Sequence, residues 1–288
     1  MRVVMTGASG FVGTALREAL VAKGHEVLTL NRADYQRSPQ ELAEKIEGCD
    51  LAINLAGATI ATRWSSAYKK VLYSSRVETT RALIEAFKAC QKAPSMLIST
   101  SAVGRLDSSD RHDESARAYA TDFLGELTAD WEAEALKAEA LGTKVLIFRF
   151  GVVVGPGGML EKMLPPFKLG LGGKLGSGEQ MVSWIHRDDL IRAYLYAIDK
   201  PLEAGVYHLC APHPVSNAEL TRALAAALKR PAFMTVPAFM IKLLFGEGSQ
   251  VMLSGQQVIS TRLKDAGFVF DHPTIQEAIE ATLNKNKE

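Results

Sequence analysis

The chain has 288 residues, 47% of them hydrophobic and 23% charged, which is enough apolar surface for the core of one large domain or two closely joined ones. Its 33 basic and 32 acidic residues leave a formal charge of +1, so the overall balance offers no match to nucleic acid or to an anionic membrane. Three widely spaced cysteines, Cys49, Cys90 and Cys210, form neither a disulfide framework nor a C-x-x-C pair, and no apolar run approaches the ~20 residues of a membrane span.

A strand is expected at residues 3–5, directly after Met1-Arg2 and without a signal-peptide apolar stretch, so a cytoplasmic protein is the simplest expectation. A helix follows over 11–23, ending at Gly24, then a strand at 25–30, a short helix at 40–47 and a strand at 51–55. The apolar face of Val77, Ala82, Leu83, Ala86 and Phe87 predicts a helix over 76–90. A strand at 96–101, a long helix at 122–141 and a strand at 144–150 complete the first half. This alternation predicts an α/β chain with a Rossmann-type, doubly wound parallel sheet.

Beyond Gly151 the texture changes. The glycine-rich stretches 155–158 and 170–178 read as loops, and Met159, Met163 and Leu164 sit at a spacing that suits either a core or a pocket lining. A strand near 182–185, a helix at 188–198, a strand at 206–209 and a helix opened by Ser216-Asn217 follow. Pro231, Pro237 and Pro273 punctuate a tail of short helices. The organisation expected is a dinucleotide-binding unit over 1–157 that also receives about 181–211, with a smaller substrate-side C-terminal unit within 158–288.

The sharpest chemical signal is Thr6-Gly7-Ala8-Ser9-Gly10-Phe11-Val12-Gly13, set between the first strand and the first helix. In that setting Gly7 permits a tight turn, Gly10 lets backbone approach a pyrophosphate, and Gly13 allows close helix–strand packing. The helix N-terminus offers free N–H groups to the phosphates, with Ser9, Phe11 and Val12 lining the same turn. The second strand ends in Leu30-Asn31-Arg32, where a site for NAD(H) usually carries Asp or Glu; an arginine suits the 2′-phosphate of NADP(H). Arg32 is either that phosphate ligand or a solvated surface residue. His112-Asp113-Glu114 lacks the second cluster a metal site needs, so no metal is expected.

These motifs resemble those of the extended short-chain dehydrogenase/reductases of the NAD-dependent epimerase/dehydratase superfamily. Asn54-Leu55-Ala56-Gly57 resembles the strand end lining the adenine side of the cofactor, and Ser99-Thr100-Ser101-Ala102-Val103 the strand end with the active-site serine. The stretch from Arg149 to Gly157 resembles the loop near the nicotinamide, and Trp184-Ile185-His186-Arg187-Asp188-Asp189-Leu190 the segment after the glycine-rich substrate loop. More narrowly, Asp130-Trp131-Glu132, Met163-Leu164-Pro165-Pro166-Phe167, Gly170-Leu171-Gly172-Gly173 and the tail over 230–270 resemble epimerase-family proteins with a C-terminal domain of unknown function.

The resemblance implies cofactor contacts from Gly7, Ser9, Gly10, Phe11, Val12, Gly13, Asn31, Arg32, Leu55, Ala56, Gly57, Ser99 and Arg149. It also implies a small-molecule carbonyl or hydroxyl substrate and, by analogy, a homodimer through the helices at 76–90 and 122–141. The superfamily's Tyr-x-x-x-Lys pair, in which lysine lowers the phenol's pKa for proton exchange, is absent from Tyr119 through Thr128. Tyr196 and Lys200 have the spacing but fall on a different helix. Ser101 either bonds a substrate oxygen or satisfies a strand end; Tyr119 is either a replacement phenol or a surface tyrosine. His186 either serves the substrate side or makes a structural bond while Asp188 caps a helix. The expectation is thus an NADP(H)-dependent oxidoreductase or epimerase-like enzyme, or else a cofactor-binding protein that has lost hydride chemistry.

Overall fold

The computed structural model describes residues 1–285. Its first strand, β1 (Arg2–Thr6), is buried from Val3 to Thr6 with no alternation. That pattern requires cover on both faces. The chain then runs α1 (Phe11–Ala22), β2 (Glu26–Leu30), α2 (Pro39–Ile46), β3 (Leu51–Asn54), α3 (Ser66–Tyr73), α4 (Thr79–Ala89) and β4 (Met96–Ala102). After the two-residue strand β5 (Arg111–His112) come α5 (Phe123–Leu136), β6 (Lys144–Phe150), β7 (Val152–Val154), α6 (Gly158–Lys168), β8 (Gly173–Leu175), β9 (Met181–Val182) and β10 (Trp184–His186). The remainder is α7 (Arg187–Asp199), β11 (Gly205–Leu209), β12 (Val215–Ser216), α8 (Asn217–Leu228), β13 (Met234–Val236), α9 (Ala238–Phe245), α10 (Gln250–Leu253), β14 (Gln257–Val258), α11 (Thr261–Asp265) and α12 (Ile275–Lys285).

Six strands form one parallel sheet in the order β11-β6-β4-β3-β1-β2. Helices α1 and α7 bury Leu16, Leu20, Leu190 and Tyr194 on one face. On the other, α2, α4 and α5 bury Leu42, Ile46, Leu83, Phe87 and Ala135. The sheet is therefore doubly wound, as the sequence pattern predicts. The strand order reverses between β1 and β3, and the crevice at the carboxyl ends of such strands is where α/β sheets bind ligands. Register places Thr6 opposite Asn54, Asn54 opposite Ser99, and Ser101 opposite Arg149 along that edge.

Of the elements that differ from the expected ones, two have a clear physical cause. The helix expected at 76–90 begins ten residues earlier, because Ser65 caps α3 by accepting from the Tyr68 N–H. A wide π-helical turn, Ser74–Glu78, then joins α3 to α4. Its extra residue shifts the phase of the apolar stripe, so the 3.6-residue pattern could not be followed back through it. The second is α6, which continues through Pro165 and Pro166 because Leu160, Leu164 and Phe167 bury one face in a second core with Trp184, Leu220, Leu224 and Ile279. Burial of that face offsets the backbone bonds the prolines cannot make.

The C-terminal tail is tied to both halves. Strand β13 pairs with β8, and β14 pairs with β5. The Glu114 carboxylate, just past β5, accepts from the backbone N–H groups of His208, Thr261 and Arg262, joining β11 to the start of α11. Among the described residues no helix is long and apolar enough to cross a membrane. Glu114→Ala leaves three partly buried donors without that acceptor, so urea unfolding is expected to show a loss of about 1–3 kcal/mol.

Candidate dinucleotide site

The turn from β1 into α1 has no room for side chains at two glycines. Gly7 has φ +65°, and a Cβ there would lie 2.5 Å from the Leu55 carbonyl oxygen. A Cβ on Gly13 would lie 2.0 Å from the Gly7 carbonyl oxygen. Gly10 is the N-cap of α1, with ordinary extended dihedrals, no side-chain cap and no acidic residue in the following turn. The first-turn N–H groups and the positive helix end therefore face the crevice without an internal anion. These features fit the diphosphate of a dinucleotide, which Gly7, Ser9, Gly10, Phe11, Val12 and Gly13 would hold. The Phe11 ring packs against Gly157 and Gly158 under the Arg187 guanidinium, binding the 155–158 loop to the same helix end.

The neighbouring strand ends are held by one hydroxyl. Thr6 Oγ1 accepts from the N–H groups of Leu55 and Ala56, each at 3.0 Å, and donates to Asn54 Oδ1. Asn54 Nδ2 donates to Thr80 Oγ1 and to Ser99 Oγ, so Ser99 is buried in a structural network at the crevice floor. At the end of β2, Asn31 and Arg32 are exposed, and Asn31 accepts from the Ala33 N–H. The nearby acid, Asp34, is turned inward: it accepts from the Asn31 N–H and from Lys45 Nζ at 2.6 Å. Lys45 and Arg37 hold its carboxyl below the usual carboxylate range despite burial. That carboxylate is committed, which leaves the Arg32 guanidinium as the exposed charge at the strand end.

The active-site serine position is more enclosed than expected. Ser101 is buried and its hydroxyl donates to Glu132 Oε1 at 2.6 Å. Arg149, expected to contact cofactor, instead grips Glu132 through Nε and Nη2, both at 2.7 Å. The guanidinium is thus held, buried, in an ion pair with an acid of α5, a partner the sequence pattern does not indicate. Sequence reasoning missed Glu132 as a site residue, although an acid between Trp131 and Ala135 on a buried stripe is a visible anomaly. One and two turns before Glu132 along α5 stand Thr128 and Leu124. The helix passes the strand end with no phenol and no ammonium. Tyr119 lies outside α5, half-exposed under the Arg105 guanidinium, and Tyr196 donates to the Ala266 carbonyl oxygen in the tail.

His186 has no accessible surface, which removes it from contact with substrate. It caps α7 itself, since its Nδ1 accepts from the Asp188 N–H; this role had been expected of Asp188. Asp188 pairs instead with Lys285. His186, Asp188 and His272 bring ligand-type atoms within 4.8 Å of one another, a grouping the sequence did not reveal. The positive end of α7 and the Lys285 ammonium already surround it with positive charge, an unfavourable setting for a cation.

A family model, the NAD dependent epimerase/dehydratase family, matches residues 3–210, and a domain of unknown function (DUF1731) matches residues 236–282. The chain belongs to that epimerase/dehydratase family. An Arabidopsis thaliana protein, "Epimerase family protein SDR39U1 homolog, chloroplastic", is 35% identical across 98% of this chain and 87% of its own length. An epimerase family protein of Mycobacterium bovis is 39% identical over 96% of both chains. Among solved structures, the human epimerase family protein SDR39U1 (isoform 2) with NADPH superposes with a TM-score of 0.89 at 33% identity, covering 99% of each chain. A UDP-glucuronic acid 4-epimerase of Bacillus cereus, with a TM-score of 0.80 at 16% identity, shares the fold.

The His186 cap gives this family member a defined pH response. Burial, reinforced by His272, Lys285 and Arg187 and opposed by Asp188, lowers its pKa from 6.5 to about 4. The unfolded chain takes up a proton on this ring between 6.5 and about 4 that the folded chain refuses. Its contribution is therefore full above 6.5 and is lost as pH falls toward 4. The urea midpoint is expected to fall from pH 7 to pH 5, and less steeply in His186→Asn, which keeps a capping acceptor that does not titrate. Equal slopes in the two proteins would remove His186 from that response.

Proposed function

We propose that this protein is an NADP(H)-dependent oxidoreductase of the extended short-chain type, acting on a carbonyl or hydroxyl group of a small-molecule substrate. The observation that carries the reading is the uncapped, acid-free N-terminus of α1 behind two glycines that admit no side chain. When bound, the nicotinamide supplies or accepts hydride. The chain's own residues hold the diphosphate on the α1 amides and leave Arg32 free for a 2′-phosphate, since Asp34 is turned away and paired with Lys45. The NADPH in the human relative's structure supports the same choice over NAD(H). Ser101 donates to Glu132, so its remaining capacity is as an acceptor for a substrate hydroxyl. The glycine-rich segment 170–178 and the tail supply the substrate wall in this reading.

A second reading, a protein that binds the cofactor without turnover, is favoured by Leu124 and Thr128 on α5 and by the committed Ser101 hydroxyl. Stopped-flow absorbance at the reduced nicotinamide band, with NADPH and a broad panel of aldehydes, ketones and nucleotide sugars, separates the two. Oxidation with any member supports the enzyme; tight binding with no oxidation across the panel supports the second reading.

The cofactor choice has its own test. Arg32→Ala is expected to weaken NADPH binding by roughly tenfold to a hundredfold, the range of a charge-assisted contact, and to leave NADH nearly unaffected. Equal weakening of both, measured by calorimetry, contradicts the role of Arg32.

A further inference from the structure

The π-helical turn between α3 and α4 carries Arg76, whose guanidinium has no carboxylate partner among the described residues. Its side chain is mostly withdrawn from solvent. The recorded acceptors are the carbonyl oxygens of Ala58, 2.9 Å from Nη2, and Leu72, 3.3 Å from Nη1, with Ser75 Oγ at 3.5 Å. The Trp131 ring lies 5.4 Å away on one side. An arginine carries five N–H donors, and two neutral carbonyls leave both donors and charge unmatched. A buried charge without a counter-charge is costly, and desolvation lowers this guanidinium's pKa to about 10.

The position of the group ties this unmatched charge to the crevice. The guanidinium lies against Gly57, the exposed residue three past the end of β3: a Cβ there would come within 3.1 Å of Cζ and Nη2. Gly57 has no positive φ, so the space for Arg76 is what the missing side chain provides. Thr80, one turn further on, accepts from Asn54 and donates to the Arg76 carbonyl oxygen, fixing the turn to the crevice floor. A residue needed only to bond the Ala58 and Leu72 carbonyls would be served by a neutral amide.

We propose that Arg76 holds an oxyanion of the substrate, a carboxylate or a phosphate ester, at the mouth of the crevice beside Gly57. This rests on the reading of the crevice as a cofactor site with a substrate next to it. The planar fork meets either oxyanion with two parallel hydrogen bonds, and the arriving charge relieves the desolvated cation. It orients the reactive carbon from a distance, in a site whose α5 offers no phenol or ammonium to do so.

The test is proton–nitrogen NMR of the full chain, following the Arg76 Nε–H, assigned by its loss in Arg76→Lys, during titration with acetate and, separately, with inorganic phosphate. Each titration is run without NADP⁺ and with NADP⁺ at saturation, and phosphorus NMR on the same samples reports whether the cofactor binds. A saturable Nε–H shift in the millimolar range that persists with NADP⁺ bound supports the proposal. Response to acetate alone names a carboxylate substrate, and response to phosphate alone names a phosphate ester. Arg76→Gln is expected to weaken the anion by roughly tenfold or more; if that variant does not fold, the wild-type titration decides. No shift with either anion overturns the proposal, as does a shift that NADP⁺ abolishes, since the arginine then serves the cofactor. If NADP⁺ does not bind while the anion shift remains, the cofactor reading fails and the anion site stands.

Discussion

The carbonyl oxygen of Gly7 pointing at the bare Cα of Gly13 is the contact on which the rest of the site depends. A side chain at Gly13 would overlap that oxygen at 2.0 Å, and one at Gly7 would overlap the Leu55 carbonyl at 2.5 Å. The first contact sets how closely α1 approaches β1; the second sets how closely the turn approaches the end of β3. Together they bring the open end of α1 to the point where the strand order reverses. Thr6 reinforces the arrangement by accepting from the Leu55 and Ala56 N–H groups, which ties the end of β3 to the end of β1.

Above that floor the polar chemistry is redistributed. In the chemistry implied by the resemblance, a phenol and an ammonium on the helix beside the serine strand manage a substrate proton. Here the corresponding helix packs Leu124, Thr128 and Glu132, and the serine, the acid and Arg149 close into a buried hydrogen-bonded ion pair. Such a cluster is satisfied internally and ties β4, β6 and α5 together at the sheet edge. The uncompensated positive charge lies at Arg76, stacked on the neighbouring Trp131 of α5, and at Arg32 beyond the end of β2. The geometry therefore favours recognising anions over exchanging protons through a side-chain acid.

The parts legible in the sequence were those governed by local rules. The glycine spacing between a buried strand and a helix, the continuous apolar strands and the alternation with amphipathic helices each follow from short-range sterics or periodicity, and the doubly wound sheet follows from them. The π-helical turn was not legible, because one extra residue breaks the phase that pattern reading follows. Helix α6 was hidden by Pro165-Pro166, and only its burial against α8 and α12 explains its persistence. The same limit applies to side-chain roles. Whether Arg149 meets a cofactor or Glu132, or whether His186 faces a substrate or caps α7, depends on partners 17 residues away in one case and on the packing of α12 in the other. Asp34, an acid close to the end of β2, would have been misread from position alone; its pairing with Lys45 turns it away.

The central claim is that amides at the α1 N-terminus receive a diphosphate because Gly13 lets the helix approach. Phosphorus NMR of NADP⁺ titrated with the wild-type chain and with Gly13→Ala tests it directly, since the diphosphate and 2′-phosphate resonances report separately. The account predicts that wild-type protein shifts the diphosphate signals saturably and that Gly13→Ala, folded by its amide spectrum or its melting transition, shifts them far more weakly. Equal diphosphate shifts in the two proteins, or none with the wild type, would contradict it.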